Sequence, residues 1–288
     1  ASSVVGAAAL MHSGSEDQKQ SLLPKIADGS RLVVLALEEG PRHNPSQIKC
    51  RAELTSSGVR LSGTKQFVME GSAATDFVVA ANVDNGAGEQ GVGLFLVACD
   101  APGVHRHAVK TMDSRGYASV TFDGVTLDVD AMLAGPDTGK AVLEAVLAVA
   151  TAALAAEMLG TAAAAFDMTL DYLKTRKQFG QVIGGFQALG HRAAGLYAEM
   201  ELTRSCVEAA LTALDQGSQD AQELVALAKC KASEFLHEMS SQLIQIHGGI
   251  GMTDEFDAGF YLKRARVLEN ALGNAAYHRD RYAKLLDF

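Results

Sequence analysis

The sequence predicts an α+β chain in which an antiparallel β-barrel or sandwich is followed by an up-down four-helix bundle. Three observations carry that expectation. A short helical segment opens the chain, a series of brief β-like runs with Gly and Pro between them follows, and after Gly135-Pro136 the apolar residues switch to a 3.6-residue period. The boundaries fall at residues 1–29, 30–134 and 135–288.

In the first region an apolar stretch, Val4–Met11, reads as helix interior. A Gly14-Ser15 break follows, with Ser15 as N-cap and Glu16-Asp17 in the first turn. Pro24 is incompatible with a long helix, so the helix from Ser15 is expected to end before it. Strands are expected at residues 32–37, 48–54, 77–83, 92–98 and 119–125. Turns are expected at Gly58, Gly63, Gly86-Ala87-Gly88, Pro102-Gly103 and Gly124. Close succession of short strands favours antiparallel neighbours. Three amphipathic stripes come next, Val142 to Leu173, Leu189 to Leu214 and Leu224 to Ile246. A fourth, less regular helix runs from about Ala258.

Composition narrows the function. Of 288 residues, 48% are hydrophobic and 20% charged, and the net charge of −9 argues against nucleic acid, whose phosphates need clustered Lys and Arg. Cys50, Cys99, Cys206 and Cys230 form no metal-ligand spacing and read as reduced thiols of a cytoplasmic protein. The longest apolar run, Ala141–Ala156, is Ala-rich and carries Glu144, which reads as too short and too weakly hydrophobic for a membrane span. No basic residue precedes Val4–Met11, so no signal peptide is expected, and the chain reads as beginning inside a fold.

Two segments carry chemistry. Tyr172–Gly180 (YLKTRKQFG), with Gln187 after it, closes the first bundle helix; Gln245–Gly251 (QIHGGIG) closes the third. Each puts polar side chains and glycines at a helix end, where free backbone groups and close approach suit a charged ligand, and Arg176 can fork onto a phosphate. The glycine motif by itself is a weak signal that reads first as a tight turn between helices; the pair is a strong one. Together they resemble the acyl-CoA dehydrogenase family, and Gly14–Gly29 resembles the end of that family's N-terminal helical domain, whose earlier helices are absent from this sequence.

The resemblance implies an FAD site shared across subunits, with a β domain holding the flavin ring and a neighbour's bundle holding the phosphates and adenine. Carried over, the bundle contacts fall on Arg176, Gln178, Phe179, Gln187, Gln245, Gly248, Gly249 and Gly251. The flavin-ring half departs from the family. Leu37–Asn44 stands where the family has a T-E-P-G-x-G-S-D-like stretch: Leu37 replaces a hydroxyl, Glu39 adds charge and Pro41 removes a donor. Phe67-Val68-Met69 stands for the family's W-x-T, and the chain has no Trp.

The catalytic base departs too. Desaturating an acyl thioester needs a carboxylate in a dry pocket to take the α-proton. The family's usual position, on its last long helix, matches Leu272, and its alternative matches Ala150, beside Thr151. Glu269, on roughly the same helix face as Leu272, and Glu157, two turns after Ala150, read first as solvated or helix-pairing carboxylates. The Leu272 backbone N–H could still bond a thioester carbonyl. His247 and His43 have no acid or nucleophile nearby in sequence and read as packed or surface histidines.

The resemblance therefore implies the small, non-catalytic subunit of a bacterial heterotetrameric (α2β2) acyl-CoA dehydrogenase. A paralogous partner would supply the base and bind most of the acyl-CoA, of a steroid side-chain or dicarboxylic type. Electrons would pass to an electron-transfer flavoprotein. Two alternatives are an active homotetramer using Glu269 as a displaced base, and a non-enzymatic paralogue binding acyl-CoA or protein. A flavin-dependent monooxygenase on the same fold is disfavoured, since it too needs the flavin-ring contacts.

Overall fold

The computed structural model describes residues 2–55, 58–84 and 90–288, which form two compact units, residues 1–150 and 151–288. The turn expected at Gly86–Gly88 lies outside the described residues.

In the first unit, a π-helical turn Ser2–Gly6 leads into α1 (Ala7–Ser13) and α2 (Glu16–Ala27). Ser15 caps α2 through a reciprocal box with Gln18. Pro24 does not end α2, which continues to Ala27. Only the last turn loses a donor there, and burial of Leu22 and Ile26, each worth about 2 kcal/mol, offsets the ~3 kcal/mol cost of an internal proline.

Eight strands make one sheet: β1 (Val33–Ala36), β2 (Arg51–Thr55), β3 (Gly58–Val68), β4 (Asp76–Asp84), β5 (Gln90–Ala98), β6 (Val104–Lys110), β7 (Gly116–Leu127) and β8 (Met132–Ala134). The order is β6-β7-β3-β2-β4-β5-β8, with β1 also on β4. The sheet is mixed, not wholly antiparallel as the short spacings suggested: β1 and β2 both run parallel to β4. β1 pairs with Asp76–Val79 and β2 with Asn82–Asp84, so the two lie end to end along one edge of β4. The segment Leu37–Cys50 loops out between them. Phe77–Ala81 of β4 are fully buried, as a central strand requires.

Gly63 and Gly124, expected in turns, lie inside β3 and β7. At Gly63 the β3–β7 register shifts, φ is +151°, and a Cβ would fall 2.7 Å from Cys50 Cα. The glycine marks a bulge against the neighbouring strand.

The helical region comprises α3 (Gly139–Thr175), α4 (Gln187–Gln216), α5 (Ala221–His247), α6 (Ala258–Leu268) and α7 (Ala275–Leu285). The expected fourth helix is thus two helices with a corner at 269–274. α5 buries the predicted stripe from Ala228 to Ile246. On α4 the buried stripe ends on Ala210 and Ala213, while Leu211 is exposed. By length and composition α3 could cross a bilayer, contrary to the sequence reading of Ala141–Ala156; 56% of its most apolar window is buried within the fold, as in a core helix.

Candidate cofactor half-site

The motifs of the two helix ends meet through an apolar cluster. Leu173 of α3, Ile183 after the hairpin, Ala193 of α4 and Ile246 of α5 are buried together, with Tyr172, Phe186 and Leu189 packed on them. From α3 the chain turns through a two-stranded hairpin, β9 (Lys177–Gln178) and β10 (Gln181–Val182), closed by an Ile183 N–H donating to Arg176 O at 2.9 Å. Phe179 (φ +51°) and Gly180 (φ +81°) form its tip, both left-handed as a two-residue hairpin turn demands. The Phe179 ring is 91% exposed, edge-on to Phe186 at 6.1 Å.

Arg176, Gln178 and Gln187, the first residue of α4, are exposed on this hairpin side. Gln178 Nε2 donates to Lys177 O at 2.8 Å, and Arg176 makes no ion pair among the described residues. Beneath the hairpin, Leu170, Leu173, Lys174, Val182, Gly190 and Ala193 line a groove of about 380 Å³.

The second arm starts on α5, where Gln245 is exposed. Gly248 ends the helix at φ +62° and ψ −135°, a conformation open to glycine alone. A Cβ on Gly248 or Gly249 would meet nothing within 4 Å, so this backbone is open to a ligand. Gly251 differs: its Cβ would lie 3.0 Å from His247 Cβ. His247 joins the arms. Its ring stacks on Tyr172 at 4.2 Å and tilts against Phe256 at 4.6 Å, and the Tyr172 hydroxyl donates to His247 O at 3.4 Å.

The α6–α7 corner is built differently. Leu272 (φ +54°) and Gly273 (φ +94°) turn the chain, and the Leu272 side chain is buried. Lys229 of α5, fully buried, points its ammonium at Gly273 O (2.9 Å), Leu268 O (3.3 Å), Glu269 O (3.4 Å) and Ser233 Oγ (3.1 Å). Burial pulls its pKa down to about 7, opposed by the Glu269 and Cys230 charges. His278 Nε2 donates to Leu272 O at 2.8 Å.

Residues 137–286 match the acyl-CoA dehydrogenase C-terminal domain. Over 94% of its length the chain is 31% identical to the acyl-CoA dehydrogenase FadE27 of Mycobacterium tuberculosis, covering 71% of that protein. The chain belongs to the acyl-CoA dehydrogenase family.

Among solved structures it resembles a chain of the ChsE4-ChsE5 complex from Mycobacterium tuberculosis, at 29% identity and TM-score 0.89, over 98% of this chain and 74% of that one. It also resembles a chain of the Tcur3481-Tcur3483 steroid acyl-CoA dehydrogenase, at 34% identity and TM-score 0.87, with the same coverage. The chain spans 66% and 59% of the length of two other relatives it matches, less than two thirds in each.

Within the family's frame, both base positions are apolar: Ala150 is 3% exposed on α3, and Leu272 sits in the corner. Leu272 is not on a long helix and Glu269 does not share a helix face with it, because α6 ends at Leu268 and Glu269 caps it. The Glu269 carboxylate faces His237 Nδ1 at 2.8 Å and Arg266 at 3.4 Å; Glu157 accepts from Arg264 Nε at 3.0 Å. Both acids are ion-paired.

The Leu37–Cys50 loop corrects the expectation for Glu39. Its carboxylate turns inward, taking the fully buried Lys65 ammonium at 2.6 Å and the N–H groups of Lys49 and Cys50 at 2.6 and 2.9 Å. The charge is spent inside the sheet. Lys65 also donates to Leu37 O at 3.1 Å. His43, read as lacking an acid, lies 2.5 Å from Glu38 Oε1; the loop folds back to bring them together. Phe67 (φ +50°) is 46% exposed beside half-buried Met69.

The residues present have the chemistry a dinucleotide's outer half requires: Arg176, without an ion pair among the described residues, an exposed aromatic Phe179, and an open glycine backbone at Gly248 and Gly249. Sequence reading missed Lys229, Lys65 and Phe256. Lys229 interrupts an otherwise apolar buried stripe of α5, a signal within the sequence, whereas Lys65 lies between exposed Thr64 and Gln66 and gave none.

Proposed function

We propose that this chain is the non-catalytic subunit of a heteromeric FAD-dependent acyl-CoA dehydrogenase, and that its bundle completes the FAD site of a paralogous partner. One contrast carries the reading: an open, polar, cation-bearing loop pair coexists with apolar residues at both base positions. Likeness to chains from two-component complexes, one of them a steroid acyl-CoA dehydrogenase, supports a partner and a steroid-derived acyl-CoA as substrate.

FAD, when bound, supplies the hydride acceptor for α,β-desaturation. On this reading Arg176 pairs with the pyrophosphate, Phe179 packs on the adenosine part, and Gly248 and Gly249 let the backbone approach, while Gly251 lets the loop pack against His247. Gln178, Gln187 and Gln245 offer amide hydrogen bonds around them. The partner supplies the carboxylate base, and an electron-transfer flavoprotein takes the electrons.

The test is to purify the chain alone and with its partner, recording flavin absorbance and acyl-CoA-dependent dye reduction. Flavin and activity only in the complex are expected. Stoichiometric FAD and turnover in the lone chain would overturn the reading, and a colourless complex would favour a binding protein without flavin.

A further inference from the structure

α5 ends on His247, and the next residue opens the glycine loop. The imidazole Nδ1 lies 2.8 Å from Leu243 O, which can only accept, so Nδ1 carries the proton. In the neutral ring Nε2 is then a bare acceptor. It is buried, and it meets no donor among the described residues. The ring is held by stacking, between Tyr172 on the last turn of α3 and Phe256 beyond the loop. One residue thereby fixes the root of the hairpin carrying Arg176 against the Gly248–Gly251 backbone.

We propose that His247 is the positioning residue that keeps the two arms of the half-site in register, and that only its neutral imidazole does so. The claim rests on reading these arms as a ligand site. A proton on Nε2 would have no acceptor within the aromatic sandwich and would draw the ring toward water. Of the charged residues on the elements around it, Asp171, Lys174 and Arg176 on the α3 side, Arg192 on α4, Glu238 on α5, Asp254, Glu255 and Asp257 flanking Phe256, and Lys263 on α6 are exposed. Buried Lys229 of α5 turns to the 268–273 carbonyls, and half-buried Arg264 and Arg266 of α6 pair with Glu157 and Glu269. None makes an ion pair with the ring. Burial holds the imidazole below its ordinary value of 6.5, partly opposed by the Leu243 hydrogen bond. The unfolded chain therefore binds this proton more readily, and the joint loses stability as pH falls below 6.5.

The experiment uses the full chain without flavin. Imidazole ¹H–¹⁵N correlations follow His247, and hydrogen exchange, corrected for intrinsic rates, follows the amides of residues 247–252. From about pH 8 to about pH 5, protection at Gly248–Gly251 should fall about tenfold while α7 stays constant. His247→Phe, which keeps the stack and removes the proton, should hold protection level across the range. A wild-type loop that is flat with pH, a Phe variant with the same pH response, or a His247 ring that titrates at 6.5 without moving the loop would overturn the proposal. No flavin enters the measurement, so its failure and failure of the heteromer reading are separable.

Discussion

The hairpin tip and the Leu272 corner are built from the same parts. Each follows a helix end and turns on a non-glycine residue in the left-handed region with a glycine behind it: Phe179 and Gly180 in one, Leu272 and Gly273 in the other. A non-glycine residue there costs about 1 kcal/mol, so both sites hold backbone strain that surrounding structure must offset. They differ in where their polar groups go. The tip leaves Phe179, Arg176 and Gln178 exposed. In the corner, Lys229 and His278 take the carbonyls of residues 268, 269, 272 and 273, and Leu272 is buried. One turn is open to an external ligand. The other is complete by itself.

Breaking the closed turn should have the largest effect. Lys229→Met strands several buried carbonyls and should lower unfolding free energy by about 3 kcal/mol in denaturant titrations. The wild type should also show a pH signature that the variant lacks. With the pKa pushed from 10.5 to about 7, the unfolded chain holds a proton the folded chain has lost between those values. Stability therefore rises with pH across that window, and the burial penalty is fully present below about 7.

The glycine loop that shares the site with the open turn makes a finer prediction. Gly251→Ala should cost about 1 kcal/mol, since its Cβ would press on His247 Cβ at 3.0 Å, whereas Gly249→Ala should leave thermal stability within about 0.5 kcal/mol. The smallest effect belongs to Glu269→Gln. It removes a surface ion pair worth under about 1 kcal/mol, and dye reduction by the complex should not change. Lost turnover there would instead favour Glu269 as a displaced base.

How much was legible follows from the kind of signal each element gives. β4 and β5 announce themselves as apolar runs, and α5 as a clean stripe. β3 and β6 do not: β3 is interrupted by the Gly63 bulge, and edge strand β6 is mostly exposed, so neither carries a run. On α3, Ala and Val occur on every side, and the predicted Val142–Val149–Ala153 stripe is half-buried while Leu143, Val146 and Leu154 are buried. A helix apolar all round hides its own phase. The site motifs were readable because glycines and cations at helix ends are local. The inward turn of Glu39 onto Lys65 and the Lys229 clamp were not, because each pairs residues at least 26 positions apart.

The central claim is that the open turn serves a flavin held mainly by another subunit. Its most direct measurement is flavin retention by the purified complex carrying Arg176→Ala. Loss of a charge-assisted phosphate contact worth about 2 kcal/mol should weaken retention about 30-fold, with the lone chain colourless throughout. Undiminished flavin in that complex, or flavin in the lone chain, would contradict the account.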